Sequence, residues 1–224
     1  SVSRDVTFIA DESTAELTAA NLVVVTDNQP ANGVAKNQLK AVVTDAKGNV
    51  VPGVDVVFSS NNGGAPASET VSTDTNGEAL FAVSNTSAGV TTVTAAFKGA
   101  SVSRDVTFIA DIETARVDFN ITNEDQLVIA NGNDTRLIIG IVVDAYGNIV
   151  TNATINLILQ SGLILVDSGA SLVSDDDGNI SFSVRSNVAG NKEIKAIPEK
   201  SKLETNVNVK FSPANITLIV DSID

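Results

Sequence analysis

Ser1-Val-Ser-Arg-Asp-Val-Thr-Phe-Ile-Ala-Asp11 recurs without a change as Ser101-Val-Ser-Arg-Asp-Val-Thr-Phe-Ile-Ala-Asp111, an offset of 100 residues. A period of that size exceeds the roughly 20 to 50 residues of a solenoid coil and matches one small β-sandwich. The repeated object is therefore a whole domain, and the chain reads as a slice of a tandem array. Copying a domain end to end adds length, which is a mechanical property before it is a chemical one.

The correspondence spreads outward from that segment. Val43-Thr-Asp-Ala-Lys-Gly-Asn-Val-Val51 is answered by Val142-Val-Asp-Ala-Tyr-Gly-Asn-Ile-Val150. Thr75-Asn-Gly-Glu-Ala-Leu-Phe-Ala-Val83 is answered by Asp176-Asp-Gly-Asn-Ile-Ser-Phe-Ser-Val184, and Phe108 by Phe211. Small changes of offset between these blocks place the insertions in loops, where they are tolerated. The phase predicts four parts: residues 1–10 as the last strand of a preceding repeat, domain 1 over 11–110, domain 2 over 111–211, and 212–224 as the start of a following repeat or a C-terminal tail. Asn215-Ile-Thr-Leu-Ile-Val220 reads as the first strand of that following repeat.

Apolar residues alternate with polar ones, as half-buried strands require. Leu39, Ala41 and Val43 share a face, as do Val54, Val56 and Phe58, then Ala79, Phe81 and Val83, then Val106 and Phe108. The second copy repeats the pattern with Ile138, Gly140 and Val142, with Ala153, Ile155 and Leu157, and with Ile180, Phe182 and Val184. No stretch sustains helical periodicity, so essentially no helix is expected. Lys47-Gly48-Asn49, Tyr146-Gly147-Asn148, Asn76-Gly77 and Asp177-Gly178 supply the positive-φ residues of tight hairpin turns. Between the copies lies only Ala110-Asp111-Ile112-Glu113-Thr114-Ala115, with no flexible spacer composition. A stiff rod of domains is the expectation.

Composition excludes most chemistry. The chain has no Cys, Met, Trp or His and carries a formal net charge of −13 from 27 acidic and 14 basic residues. Ser/His/Asp and Cys/His triads cannot be assembled, and zinc loses its preferred ligands. The acidity argues against nucleic acid and against anionic membrane surfaces. No stretch approaches the roughly 20 apolar residues that span a bilayer, so contact with a membrane is expected only through an anchor elsewhere in the protein. No cofactor is implied. The one metal candidate is Ser174-Asp-Asp-Asp-Gly-Asn179, where Asp175, Asp177 and Asn179 resemble a calcium loop in composition but lack its closing bidentate Glu. The aligned segment Asp74-Thr-Asn-Gly77 is a plain turn. Lys40 lies on the strand face opposite Leu39 and Ala41, away from any core carboxylate that could crosslink it. Arg4 and Arg104 read as exposed strand residues beside Asp5 and Asp105, and Tyr146 as a tolerated turn residue. The six Asn-X-Ser/Thr sequons, at Asn85, Asn120, Asn133, Asn152, Asn179 and Asn215, are expected by chance in so Asn- and Thr-rich a chain.

The spaced motifs also carry a resemblance. Val-Thr-Asp-Ala-x-Gly-Asn-x-Val followed by x-Gly-x-x-Val-x-Phe (Val43 to Phe58), Thr-Asp-x-x-Gly-x-Ala-x-x-x-Val (Thr73 to Val83) and Ala-Gly-x-x-x-Val-x-Ala (Ala88 to Ala95) resemble the bacterial immunoglobulin-like repeats of the intimin and invasin family. The second copy departs from the pattern over Asn123 to Gly132 and at Asn152, which stands in the place of Gly53. The resemblance implies an all-β chain of tandem immunoglobulin-like sandwiches, Greek-key and about seven strands each. It further implies the passenger of an inverse autotransporter: a surface adhesin held by an outer-membrane barrel, with its repeats as a non-catalytic stalk carrying a distal tip. Cell adhesion, biofilm formation and virulence are the functions it suggests, through a host-cell or bacterial receptor bound by the full-length protein. No receptor-binding residue transfers, because the Cys-containing tip domain of such adhesins has no counterpart here. Two other readings stay open: the repeats themselves bind a glycan or matrix protein, or they are spacer modules in a secreted polysaccharide-degrading enzyme.

Overall fold

Apolar side chains at every second residue are buried only if each strand lays that face against another sheet, and this is how the chain folds. The structure is a computed structural model and describes residues 2–121, 126–166 and 169–214. The expected strand Asn215 to Val220 lies outside the described residues. The chain divides into two compact units, Ser1–Ala110 and Asp111–Asp224.

Unit 1 holds β1 (Leu22–Thr26), β2 (Gln29–Pro30), β3 (Asn37–Val42), β4 (Asp55–Ser60), β5 (Ser68–Ser72), β6 (Glu78–Val83), β7 (Gly89–Phe97) and β8 (Ala100–Ile109). They form a three-stranded sheet, β1-β3-β6, and a five-stranded one, β2-β8-β7-β4-β5. Leu39, Ala41, Val43, Val56, Phe58, Ala79, Phe81, Val83, Val106 and Phe108 are all buried between them. Phe58 of β4 and Phe81 of β6 stack across the core, ring centroids 4.9 Å apart and planes 2° from parallel. Asn37 is a buried polar exception: its amide donates to the Thr107 carbonyl at 2.8 Å and its oxygen accepts from the Gln29 N–H at 3.2 Å, stitching β2 to β8. β2 itself pairs in parallel with β8 only at Phe108 and Ile109.

Unit 2 repeats the plan with β9 (Arg116–Asn120), β10 (Thr135–Val143), β11 (Thr154–Leu159), β12 (Leu163–Val166), β13 (Ser171–Val173), β14 (Asn179–Ser186), β15 (Gly190–Pro198) and β16 (Thr205–Phe211). Its sheets are β12-β14-β10-β9 and β13-β11-β15-β16. A parallel bridge from Ile129 to Ser212 stands where β2 pairs with β8 in unit 1. The cores are not copies in detail. Ala41 opposite Leu22 becomes Gly140 opposite Phe119. A Cβ on Gly140 would lie 2.9 Å from Val117 Cγ1 and 3.3 Å from the Phe119 ring, so the larger partner is matched by a deleted methyl. Phe119 packs edge-on to Phe182, 6.5 Å between centroids.

One expectation holds and one needs correction. Among the described residues helix is limited to three 3-10 turns, Glu12–Thr14, Ala19–Asn21 and Ile112–Thr114. The Gly-containing turns do not close hairpins between paired strands: the turn at Asp45–Asn49 leads from β3 to β4, and that at Asp74–Glu78 from β5 to β6, which lie in opposite sheets. The local ladder amounts to the single bridge Thr44↔Val50 before the chain crosses the sandwich. Gly77 is required for packing as much as for its φ of +72°, since a Cβ there would stand 2.8 Å from Val50 Cβ. Gly178 repeats this against Ile149 at 2.7 Å. The segment Val2–Ala10 joins no sheet and its Val2, Phe8 and Ile9 are at least 90% exposed, whereas the identical residues 102–110 include β8 with Val106 and Phe108 buried.

Replacing Phe81 with Ala is expected to destabilise unit 1 by about 3 to 5 kcal/mol, the usual cost of emptying a buried Phe site. Differential scanning calorimetry then records a lowered transition for unit 1 and an unmoved one for unit 2, and Phe182→Ala gives the converse. One merged, equally lowered transition in either variant contradicts independent cores.

Candidate functional site: carboxylate-capped turns and the linker

A tight turn leaves backbone N–H groups pointing inward, and an Asp at its first position can accept them. Asp144 is fully buried. Its Oδ1 accepts the backbone N–H of Tyr146 and of Asn148, both at 2.9 Å, and its Oδ2 accepts the Asn148 side-chain amide at 2.8 Å. The same Oδ2 accepts a further N–H at 3.0 Å, from Asp111, the first residue of unit 2 and 33 positions earlier in the chain. A carboxylate that organises a turn thus also seizes the linker.

The linker answers with its own geometry. Asp111 caps the 3-10 turn Ile112–Thr114 by accepting the Glu113 N–H at 3.2 Å, and Thr114 Oγ1 donates to the Asp111 carbonyl at 3.1 Å. That hydroxyl then accepts the Ala145 N–H of the Asp144 turn at 3.2 Å. Arg116 adds a bond from Nη1 to the Asp144 carbonyl at 2.7 Å. Unit 1 is built alike. Asp45 Oδ2 accepts Asp11 N–H at 3.1 Å, Asp45 Oδ1 accepts Lys47 and Asn49 N–H at 2.9 Å, and Thr14 Oγ1 accepts Ala46 N–H at 3.3 Å. Asp-x-x-Thr in each linker and Asp-Ala-x-Gly-Asn in each turn therefore form one latch.

Hydrogen bonding to the charged form holds these carboxyls below the ordinary carboxylate range. For Asp45 the Asn49 side chain is the largest cause, with the Asp11, Asn49 and Lys47 N–H groups adding to it against burial. At Asp144 burial is the largest influence and pushes upward, yet the bonds from Asn148, Asp111 and Tyr146 together win.

Asp175, Asp177 and Asn179 take a related arrangement. Asp175 Oδ1 accepts the Asp177 N–H at 3.0 Å and the Asn179 N–H at 2.7 Å, and its Oδ2 accepts the Asn179 amide at 3.3 Å. The backbone N–H groups of Asp177 and Asn179 and the Asn179 amide thus all donate to Asp175, which caps this turn. Asp74 does the same with Asn76 and Glu78. Among the described residues no group of three or more His, Cys, Asp or Glu side chains is gathered to hold a metal.

Other residues singled out by sequence serve the fold. Lys40 pairs with Glu78 at 2.7 Å on the outer sheet face. Arg104 donates from Nη2 to the Ala19 carbonyl at 2.6 Å. Asp105 accepts from Thr92 Oγ1 at 2.7 Å. The sequon residue Asn85 is buried, its amide donating to the Asn62 carbonyl and to Thr91 Oγ1, so it offers no glycan site. Asn215 lies outside the described residues. Tyr146 is exposed at its turn. Sequence reading missed the latch, though a signal exists: Asp11 and Thr14 persist as Asp111 and Thr114 while Glu12-Ser13 becomes Ile112-Glu113.

Two sandwiches, each of eight strands among the described residues and with Asp11 or Asp111 bonded to a carboxylate-capped turn, define a tandem immunoglobulin-like repeat. The profile of the bacterial Ig-like domain (group 1) matches residues 19–109 and 118–212, and the chain belongs to this family, the repeats of the intimin and invasin adhesins. It is similar to the inverse autotransporter adhesin YeeJ of Escherichia coli (strain K12), 31% identical over 202 residues that make up 85% of this chain and 8% of that protein. The chain thus spans under a tenth of that relative's length. Among solved structures it resembles InvD of Yersinia pseudotuberculosis, with 19% identity, a TM-score of 0.57, and coverage of 92% of this chain and 62% of that one. It also resembles the Escherichia coli adhesin FdeC, with 15% identity, a TM-score of 0.57, and coverage of 91% and 67%. At those identities the likeness shows the fold.

Because the folded pKa values of Asp45 and Asp144 are depressed, the folded state binds fewer protons than the unfolded chain below about pH 4, the ordinary Asp range. Stability is expected to be level above that pH and to fall as pH drops below it, which urea titrations from pH 2 to 7 measure. Asp144→Asn should lower the unit 2 transition at pH 7 and flatten its acid dependence, leaving unit 1 unchanged. Excess EDTA is expected to move neither transition; a clear drop in the melting temperature of unit 2 would restore the metal reading of the Asp175 turn.

Proposed function

We propose that the two domains are a non-catalytic spacer in a bacterial surface adhesin, projecting a distal binding tip from an outer-membrane anchor elsewhere in the protein. The reading rests on one observation above all: the buried polar side chains that recur between the copies, Asp45 with Asp144 and Thr73 with Ser174, are spent on the domain's own turns. A residue kept for a ligand would be expected in one copy and free of such duty. High-affinity interfaces favour Trp, Tyr and Arg as anchors, and this chain has no Trp and one Tyr. Similarity to an inverse autotransporter adhesin supports placing the chain at the cell surface, in the extracellular passenger.

In this reading the partner is a receptor on a host cell or another bacterium, bound by the full-length protein. The chain itself contacts neither nucleic acid nor membrane. The division proposed is a closing strand of a preceding repeat over residues 1–10, domains over 11–110 and 111–211, and the start of a following repeat or a tail over 212–224.

A spacer is defined by length and not by surface. In the full-length adhesin, replacing residues 11–110 with an unrelated sandwich of equal length is expected to leave adhesion within about twofold, while deletion without replacement reduces it where surface polymers overtop the shortened tip. Loss of adhesion in the equal-length replacement, with surface display unchanged, means that this region binds the target directly.

A further inference from the structure

Four Asn-Gly pairs occur in the chain, beginning at Asn32, Asn62, Asn76 and Asn131. Asparagine followed by glycine is open to attack by the next main-chain nitrogen on its own side-chain carbonyl, because glycine places no Cβ in the way. The attack needs a glycine nitrogen whose N–H is not already donated. In three of the pairs it is: Gly33 donates to the Asn85 carbonyl at 2.9 Å, Gly77 to the Asp74 carbonyl at 2.9 Å and Gly132 to the Ser186 carbonyl at 3.0 Å. Gly63 differs. Among the described residues its N–H meets no acceptor.

The turn that follows β4 explains the difference. A bond from the Gly64 N–H to the Asn61 carbonyl at 3.0 Å closes it, with Asn62 (φ +56°) and Gly63 (φ +82°) at its centre, where N–H groups point outward. Asn61, Asn62 and Gly63 are all exposed. The same turn fastens one end of unit 1. Asn61 N–H donates to the Thr92 carbonyl at 3.2 Å, and Thr92 N–H returns a bond to Asn61 Oδ1 at 2.8 Å. The Asn62 amide donates to the Val90 carbonyl at 2.8 Å, and the buried Asn85 donates to the Asn62 carbonyl at 2.9 Å. Unit 2 builds this turn from Gln160-Ser161-Gly162, with Gln160 N–H on the Glu193 carbonyl at 3.0 Å and Glu193 N–H on Gln160 Oε1 at 2.7 Å. Ser161 has no carboxamide, so the architecture does not require one at that position.

We propose that Asn62 is a site of spontaneous covalent modification, deamidation through a cyclic imide, which loosens unit 1 and has no counterpart in unit 2. The Gly63 nitrogen gives its proton to solvent and bonds to Asn62 Cγ. The Cγ–Nδ2 bond breaks, and Nδ2 leaves as ammonia after taking a proton from water. Water then opens the imide at one carbonyl or the other, which leaves aspartate or isoaspartate at position 62. Only water is consumed. Either product replaces the donor to the Val90 carbonyl with a carboxylate. Isoaspartate also carries the main chain through the side-chain methylene, displacing the carbonyl that Asn85 holds. Unit 1 therefore records the age of the chain where β4, β6 and β7 meet, and the inference is independent of whether the array is a spacer.

The test incubates the full chain in neutral buffer, folded and in urea, and follows each Asn-Gly pair by peptide mass spectrometry, which reads the amide-to-acid exchange. In the folded chain Asn62 is expected to convert about fivefold or more ahead of the other three, each of which must first break a glycine N–H bond. In urea the four should converge. Calorimetry of the folded, incubated chain should show the unit 1 transition falling in step with conversion and the unit 2 transition unmoved. An Asn62→Ser chain, which copies unit 2, should keep its unit 1 transition through the same incubation. The site is overturned if Asn62 stays unconverted in the folded chain, if Asn32, Asn76 or Asn131 keeps pace with it, or if its lead is as large in urea. Conversion of Asn62 with no fall in unit 1 overturns the loosening.

Discussion

The bond from the Asp111 N–H to Asp144 Oδ2, and its twin from Asp11 to Asp45, tie the stretch before the first strand of each copy to a turn of its own sandwich. A turn of five residues cannot satisfy its inward N–H groups with its own carbonyls alone, so an acceptor must be supplied from a side chain. Asp supplies two oxygens. One is consumed by the turn, and the second remains directed at the linker. The anchoring of that stretch is therefore a by-product of closing a turn. Gly77 and Gly178 extend the same economy by letting the second turn of each unit press against the first.

Much of the fold was legible because burial leaves a period of two. Leu39, Ala41 and Val43, or Ile180, Phe182 and Val184, could only be strands with one face in a core, and they are. The unchanged eleven residues fixed the size of the repeating unit without any reference to structure. Legibility ended where function depends on residues far apart in sequence. Asp111 and Asp144 each look like ordinary turn-loving residues, and nothing in either stretch names the other. The turns themselves were read as hairpins because Gly and Asn specify local backbone, whereas the sheet a strand joins next is decided by the core.

The acidic turn at Asp175 shows a related gap between composition and geometry. Composition counts oxygens, but orientation decides whether they face a cation or cap the backbone. Asp175 faces the N–H groups of Asp177 and Asn179, as Asp74 faces those of Asn76 and Glu78. Equally hidden was the exchange of Ala41 and Leu22 for Gly140 and Phe119, in which the larger ring faces a residue that has no room for a Cβ. A single sequence lists both residues and gives no sign that they touch.

β2 borders β8 only at Phe108 and Ile109, so among the described residues the rim of β8 from Ala100 to Asp105 meets no further strand. Such a rim is a template for another β-strand. In a lone domain this is a minor hazard. Arrays crowded side by side present one rim for every repeat, and the chance of lateral zippering rises with both length and density. Arg104 and Asp105 lie charged and exposed on that rim, beside the exposed serines at 101 and 103. Charged side chains on an open rim disfavour such pairing, and the need for them grows with the number of domains and not with the stability of any one.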